Sequence, residues 1–139
     1  MVGRFSLLIL ISASLFASAS GQTLQTPSEA EKRRAAFWKS IGTTYRDTFL
    51  AASKLKPGQP VDDLHASLLG SAYFYANLGG CGGIEDPIDN GSYWRFPTKM
   101  GYGGTPGPEI RVAKATGVTS CKGYKTIADP RVYAKWAKK

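Results

Sequence analysis

The chain is poor in the residues that build several common functional sites. Its 139 residues include two cysteines, Cys81 and Cys121, and one histidine, His65. Three residues of these types are too few for the usual zinc site, which takes four cysteine or histidine ligands. No serine or cysteine stands in a nucleophile motif such as Gly-x-Ser-x-Gly. The sequence therefore calls for no metal and no cofactor, and no residue argues for catalysis.

A long apolar run is also missing. The apolar segment at residues 5–16 is shorter than the roughly 20 residues that span a bilayer. It follows Arg4 and precedes Ala17-Ser18-Ala19, the small-residue pattern that signal peptidase reads. We therefore predict a signal peptide at residues 1–21 and a single domain at residues 22–139, periplasmic or secreted and not inserted in the membrane. A buried core helix is the alternative interpretation of residues 5–16.

The two cysteines form an even pair in a small domain. In an oxidising compartment such a pair predicts a disulfide, here between Cys81 and Cys121. Closing a loop of about 40 residues is worth about 4 kcal/mol in the chain-entropy model. A reactive thiol is the alternative, and it needs a nearby base and a reducing compartment.

Acidic residues are scarce in the C-terminal part of the chain. Residues 27–94 hold seven Lys/Arg and eight Asp/Glu, whereas residues 95–139 hold ten Lys/Arg and two Asp/Glu, a net charge of +8. A field of one sign favours an anionic partner, and solubility alone is the alternative reason for it. Nucleic acid is not favoured for an exported protein, so we expect a protein or another anionic partner. The predicted binding residues are Trp94, Arg95, Lys99, Tyr102, Arg111 and Lys114.

The N-terminal half predicts a helical hairpin. Ser28 caps a first helix, whose apolar residues recur at helical spacing as far as Leu55. A second helix starts at Asp62 or Asp63 and ends before Gly79-Gly80, since glycine readily adopts the left-handed cap conformation.

Strands and a short helix are predicted for the remainder. Residues 93–96 favour a strand, and residues 109–114 and 118–121 favour a hairpin closed by a tight turn at residues 115–117. Asp129-Pro130 is typical of a helix start. The predicted class is therefore α+β, with an N-terminal helical hairpin followed by a small antiparallel sheet and a short C-terminal helix.

Two groups of residues are weaker candidates for chemistry. Asp62 lies three residues before His65 on a predicted helix, within reach of a general-base pair, although a histidine without a catalytic role is favoured. Glu85, Asp86, Asp89 and Asn90 make an oxygen-rich loop, but four oxygens are an incomplete calcium shell and turn chemistry explains them. The glycines at residues 79–83 lack the Lys-Ser/Thr of a phosphate loop.

One stretch carries a family resemblance. Tyr93-Trp94, the loop at residues 101–108, Ile110-Arg111-Val112 and the turn at residues 114–117 together resemble the C-terminal half of the bacterial NTF2 fold immunity proteins. The resemblance covers residues 93–129. Ala113 departs from the acid that these proteins often carry before the turn lysine. The resemblance implies a protein that binds and neutralises a toxin delivered by a rival cell.

The favoured function is that of an exported, non-catalytic binding protein, an immunity-type inhibitor that acts in the periplasm. Such an inhibitor needs no catalytic residues and gains association rate from complementary charge. One alternative is a small secreted hydrolase of cell-wall glycan or peptide that uses His65 or the carboxylates of Glu85, Asp86 and Asp89. The other is a binder of anionic envelope polymers.

Overall fold

The computed structural model describes residues 26–139, so the predicted signal peptide lies outside the described residues. The chain forms two compact units that divide after Arg33, inside the first helix. In the first unit, the Ser28 hydroxyl accepts a hydrogen bond from the Glu31 amide at 3.1 Å, and the Glu31 carboxylate accepts one from the Ser28 amide at 2.8 Å. This reciprocal capping starts the helix at Ser28, the residue that the sequence predicts as its cap.

The second unit contains most of the first helix and all of the other helices. Helix α1 spans Glu29–Ile41, α2 spans Tyr45–Ser53 and α3 spans Asp63–Tyr73. A π-helical turn, Phe74–Leu78, continues α3, and a 3-10 helix spans Pro130–Lys138. Asp129 caps this last helix by accepting from the Arg131 amide at 3.0 Å, with Pro130 in the first turn. The start predicted at Asp129-Pro130 is therefore confirmed.

The predicted first helix is two helices. Gly42 interrupts it with φ of +111°, and a Cβ at this position would collide with the Asp47 carboxylate. Thr44 then starts α2 through a capping box, because its hydroxyl accepts from the Asp47 amide at 3.0 Å and Asp47 accepts from the Thr44 amide at 3.2 Å. Apolar spacing alone missed this break because the spacing continues across it.

A five-stranded antiparallel sheet follows α3 and its π-helical turn. Its strands are β1 (Gly82–Ile84), β2 (Ile88–Asp89), β3 (Tyr93–Met100), β4 (Thr105–Ala113) and β5 (Thr119–Cys121). They are ordered β1-β3-β4-β5, and β2 also pairs with β3. The α+β class and the hairpin of β4 and β5 are confirmed. Strands β1 and β2 were not predicted, because two or three residues cannot establish an alternating pattern.

One face of the sheet is covered by helices. Helix α3 packs against β1, β3, β4 and β5, and α2 packs against both α3 and the C-terminal 3-10 helix. Phe96, Ile110 and Val112 point from the strands into this core and are fully buried. No helix among residues 26–139 is long and apolar enough to cross a membrane.

The structure does not form the predicted disulfide. Cys81 precedes β1, where its carbonyl accepts from the Gly101 amide at 2.8 Å, whereas Cys121 ends β5 opposite Ile110. Strands β3 and β4 lie between them, and three strand spacings of about 4.8 Å amount to about 14 Å. A disulfide tolerates a Cα separation of no more than about 7 Å. Both cysteines are therefore free, Cys81 exposed and Cys121 buried.

Candidate binding surface on the outer face of the sheet

Strand alternation places three charged side chains together on the face opposite the helices. Phe96 and Ile110 point into the core, so the adjacent Arg95, Glu109 and Arg111 point outward. Arg95 lies directly opposite Arg111 across β3 and β4. We call the surface made by Tyr93, Arg95, Glu109, Arg111 and Ser120 the outer face.

Glu109 joins the two arginines of the outer face. Arg95 Nη1 donates to one carboxylate oxygen at 2.9 Å, and Arg111 Nε donates to the other at 2.8 Å. Burial opposes the ionisation of Glu109, but the hydrogen bonds from Arg95 and Arg111 outweigh it and lower the pKa of this carboxyl. The cluster therefore carries one net positive charge, and both guanidinium groups keep N–H donors that Glu109 does not occupy.

An aromatic ring and a groove lie beside this cluster. The Arg111 guanidinium lies over the Tyr93 ring, 4.8 Å from its centroid, which is the geometry of a cation–π contact. A groove of about 650 Å³ runs along β4 and β5, between Arg111 and Lys122. The groove is lined by Pro108, Glu109, Arg111, Ser120, Cys121, Lys122 and Thr126.

The structure places Trp94 and Lys114 away from this cluster. Trp94 follows the core-facing alternation of β3, is half-buried, and donates from Nε1 to the Val61 carbonyl at 3.3 Å. Lys114 Nζ lies over the Trp94 ring, 4.4 Å from its centroid, and bonds to the Asp89 carboxylate. The hydrogen bond from Lys114 lowers the pKa of Asp89. These residues join the end of the sheet to the loop before α3.

Lys99 and Tyr102 lie toward the tip of the β3–β4 hairpin. Lys99 Nζ is 3.5 Å from the Glu85 carboxylate, an exposed and therefore weak ion pair. Tyr102 is 97 % exposed in the turn between Gly101 and Gly104, which have φ of +70° and +67°. The six predicted binding residues thus form three groups: Arg95 with Arg111, Trp94 with Lys114, and the tip with Lys99 and Tyr102.

Sequence reasoning missed residues that complete the outer face. Glu109 was counted only as a charge, and Tyr93 and Ser120 were not named as binding residues. The two-residue alternation of residues 109–113 contained the signal, because it places Glu109 on the same face as Arg111. The pairing of Glu109 with Arg95 depends on strand register, which the sequence pattern does not specify.

The predicted acidic loop is divided among different cations. Asp86 is 3.6 Å from Arg34, Glu85 pairs with Lys99, and Asp89 pairs with Lys114. No group of three or more His, Cys, Asp or Glu side chains in residues 26–139 is arranged to hold a metal ion. Each of these loop carboxylates therefore pairs with a different cationic side chain.

His65 and Asp62 do make the predicted pair. His65 Nδ1 is 2.8 Å from Asp62 Oδ1, and the same carboxylate caps α3 by accepting from the His65 amide at 2.8 Å. The ring packs edge-on against Phe37, with centroids 5.3 Å apart. A groove of about 330 Å³ between the helices is lined by His65, Ser40 and Lys54, among others.

Compared with known proteins, the chain matches no protein-family model, no curated protein and no solved structure.

Proposed function

We propose that this chain is a non-catalytic binding protein that holds the acidic surface of a partner protein on its outer face, as an immunity-type inhibitor does. The observation that carries the proposal is the Arg95–Glu109–Arg111 cluster. One carboxylate fixes both guanidinium groups and still leaves N–H donors on each that it does not occupy. Arginine held in this way loses little side-chain entropy when it binds a carboxylate.

The surroundings of the cluster support a protein partner. Tyrosine and arginine are enriched in protein interfaces, and Tyr93 lies beneath the Arg111 guanidinium. Residues 95–139, with a net charge of +8, supply a field that attracts an acidic surface. Binding of a partner's strand along the unpaired edge of β4 is less favoured, because Pro106 and Pro108 have no N–H group to donate to an added strand.

The resemblance of residues 93–129 to immunity proteins supports a toxin as the partner. The hairpin of β3 and β4 carries both the resemblance and the arginine cluster. We therefore propose that the partner is an acidic toxin that a competing cell delivers to the periplasm. In this proposal the exposed Tyr102 side chain, at the tip of the β3–β4 hairpin, inserts into the toxin as a second anchor, apart from the arginines.

The experiment compares capture by matched variants. Wild-type protein, the double variant Arg95→Ala/Arg111→Ala and the control Lys54→Ala/Lys56→Ala are immobilised and exposed to envelope extracts of competing bacteria at low salt. We expect an acidic protein to be retained by the wild type and the control and released by salt. Equal retention by Arg95→Ala/Arg111→Ala contradicts the proposal, and so does a purified partner whose toxicity the wild-type protein leaves unchanged.

A second candidate function rests on the Asp62–His65 pair. Asp62 orients the imidazole at 2.8 Å beside a groove, an arrangement that serves a general base in a hydrolase of cell-wall glycan or peptide. The test is turnover of purified cell wall by the wild type and by His65→Ala. Activity that is lost in a folded His65→Ala variant favours the hydrolase, and absence of turnover by the wild type excludes it for that substrate.

A further inference from the structure

A third groove lies between the C-terminal 3-10 helix and the segment that precedes it. Its volume is about 380 Å³, within the range of small-molecule sites. Half-buried Ile127, Val132 and Trp136 supply its apolar floor, and exposed Lys125 and Lys135 stand at its rim. This groove is distinct from the outer face, since it shares neither Arg95 nor Arg111.

Several contacts hold the groove open. The buried Tyr73 hydroxyl donates to the Lys125 carbonyl at 2.6 Å and ties the rim to α3. Ile127 exchanges two backbone hydrogen bonds with Thr119, each 2.9 Å long, which ties the floor to the sheet. A groove fixed in this way needs little ordering when a ligand enters.

The π-helical turn also contributes to the lining. Asn77 lies in this turn and lines the groove, where its amide donates to the Tyr73 carbonyl at 3.1 Å. π-helical turns are rare in proteins, and those that occur are frequently found at functional sites. The groove is thus lined by an apolar floor with a side-chain amide at one side, and its rim is cationic.

The rim has an uncompensated positive charge. Asp129 also lines the groove, but its carboxylate is occupied by Arg131 through hydrogen bonds of 2.8, 3.0 and 3.1 Å. Within residues 26–139, no ion pair to a carboxylate involves Lys125 or Lys135. An anion at the rim with an apolar body over the floor would satisfy both features.

We infer that this groove binds a single-chain carboxylate, with the carboxylate between Lys125 and Lys135 and the alkyl chain against Val132 and Trp136. A volume of about 380 Å³ lies in the range of grooves that hold small organic ligands. Decanoate, with ten carbons and two oxygens, is a ligand of this size and charge.

The experiment titrates the full-length folded domain with decanoate, below the concentration at which it forms micelles, and follows backbone amide resonances by NMR. We expect saturable shifts that cluster in residues 125–136, and weaker binding of decyltrimethylammonium, which has the same chain and the opposite charge. The double variant Lys125→Gln/Lys135→Gln should bind decanoate about three- to tenfold more weakly. The control Lys56→Gln/Lys138→Gln removes the same charge elsewhere and should bind as the wild type does.

Each of the following outcomes overturns the inference: no saturable shifts, shifts that map to another surface, equal affinity for decyltrimethylammonium, or unchanged affinity in Lys125→Gln/Lys135→Gln. A further readout tests the floor. Val132→Glu places a carboxylate in the groove and should abolish decanoate binding while the spectrum remains that of a folded protein. Self-association through the groove, seen in sedimentation as a concentration-dependent mass that decanoate does not change, also overturns it.

Discussion

Arg95 and Arg111 lie directly opposite each other in the register of β3 and β4, although like charges in such a position repel. Glu109 removes the repulsion by bonding to both guanidinium groups. In this arrangement one glutamate allows two arginines to lie side by side on the outer face of the sheet. Because the outer face depends on this acid, its removal tests how the surface is built.

Glu109→Gln should destabilise the protein by about 1 kcal/mol, since it leaves two opposed cations without a shared anion. The free energy of unfolding in urea at pH 7 measures this. Glu85→Gln is the matched control, because Glu85 makes an exposed pair with Lys99 and its loss should cost less than about 0.5 kcal/mol. Equal effects of the two substitutions would contradict the role of Glu109.

The Glu109 contribution should also depend on pH. The folded pKa of Glu109 lies below its ordinary value of 4.5. A lowered folded pKa contributes stability that is present above the unfolded pKa and is lost as pH falls through the folded pKa. The difference in unfolding free energy between wild type and Glu109→Gln should therefore shrink as pH falls below about 4.5. A constant difference down to pH 2.5 would be inconsistent with the pairing.

The two cysteines should differ in reactivity with a thiol reagent. Cys81 is exposed and should react at once, whereas Cys121 is buried, and burial raises the pKa of its thiol. We expect one fast thiol in the folded protein and two in unfolded, unreduced protein, with the fast one absent in Cys81→Ser. No titratable thiol in the unfolded, unreduced protein would show instead that the cysteines pair with each other.

Two buried tyrosines offer a matched pair of substitutions. The Tyr73 hydroxyl donates to the Lys125 carbonyl, whereas the buried Tyr133 hydroxyl has no hydrogen-bond partner among the described residues. Tyr73→Phe should cost about 1 kcal/mol, and Tyr133→Phe should be neutral or stabilising, because it removes a buried polar atom that gains nothing from its surroundings. Urea unfolding of both variants tests this, and a larger loss in Tyr133→Phe would contradict it.

Adjacent glycines at the start of β1 should respond differently to alanine. Gly82 has φ of +118°, and a Cβ there would collide with the Lys99 carbonyl oxygen, whereas a Cβ at Gly83 meets nothing within 4 Å. Gly82→Ala should therefore cost about 1–3 kcal/mol and Gly83→Ala less than about 0.5 kcal/mol. The midpoint of thermal unfolding measures both, and equal midpoints would show that β1 does not approach β3 so closely.

The elements that follow strong local rules were predictable. The capped start of α1 at Ser28, the hairpin of β4 and β5, and the helix start at Asp129-Pro130 each depend on residues within a few positions of one another. The break at Gly42 was missed because a single glycine is tolerated in many helices, and only its φ of +111°, with the Asp47 carboxylate packed against it, makes it a boundary here. Local chemistry thus predicted the type of element better than its ends.

The sequence by itself determined the α+β class, the concentration of positive charge after Arg95, and the residue types available for binding. Only the tertiary structure decided which of them meet: register places Arg95 opposite Arg111, and the pleat directs Trp94 into the opposite face. The order of the strands places β3 and β4 between Cys81 and Cys121. Contacts between residues far apart in sequence depend on packing and strand order, and neither is encoded in a local pattern.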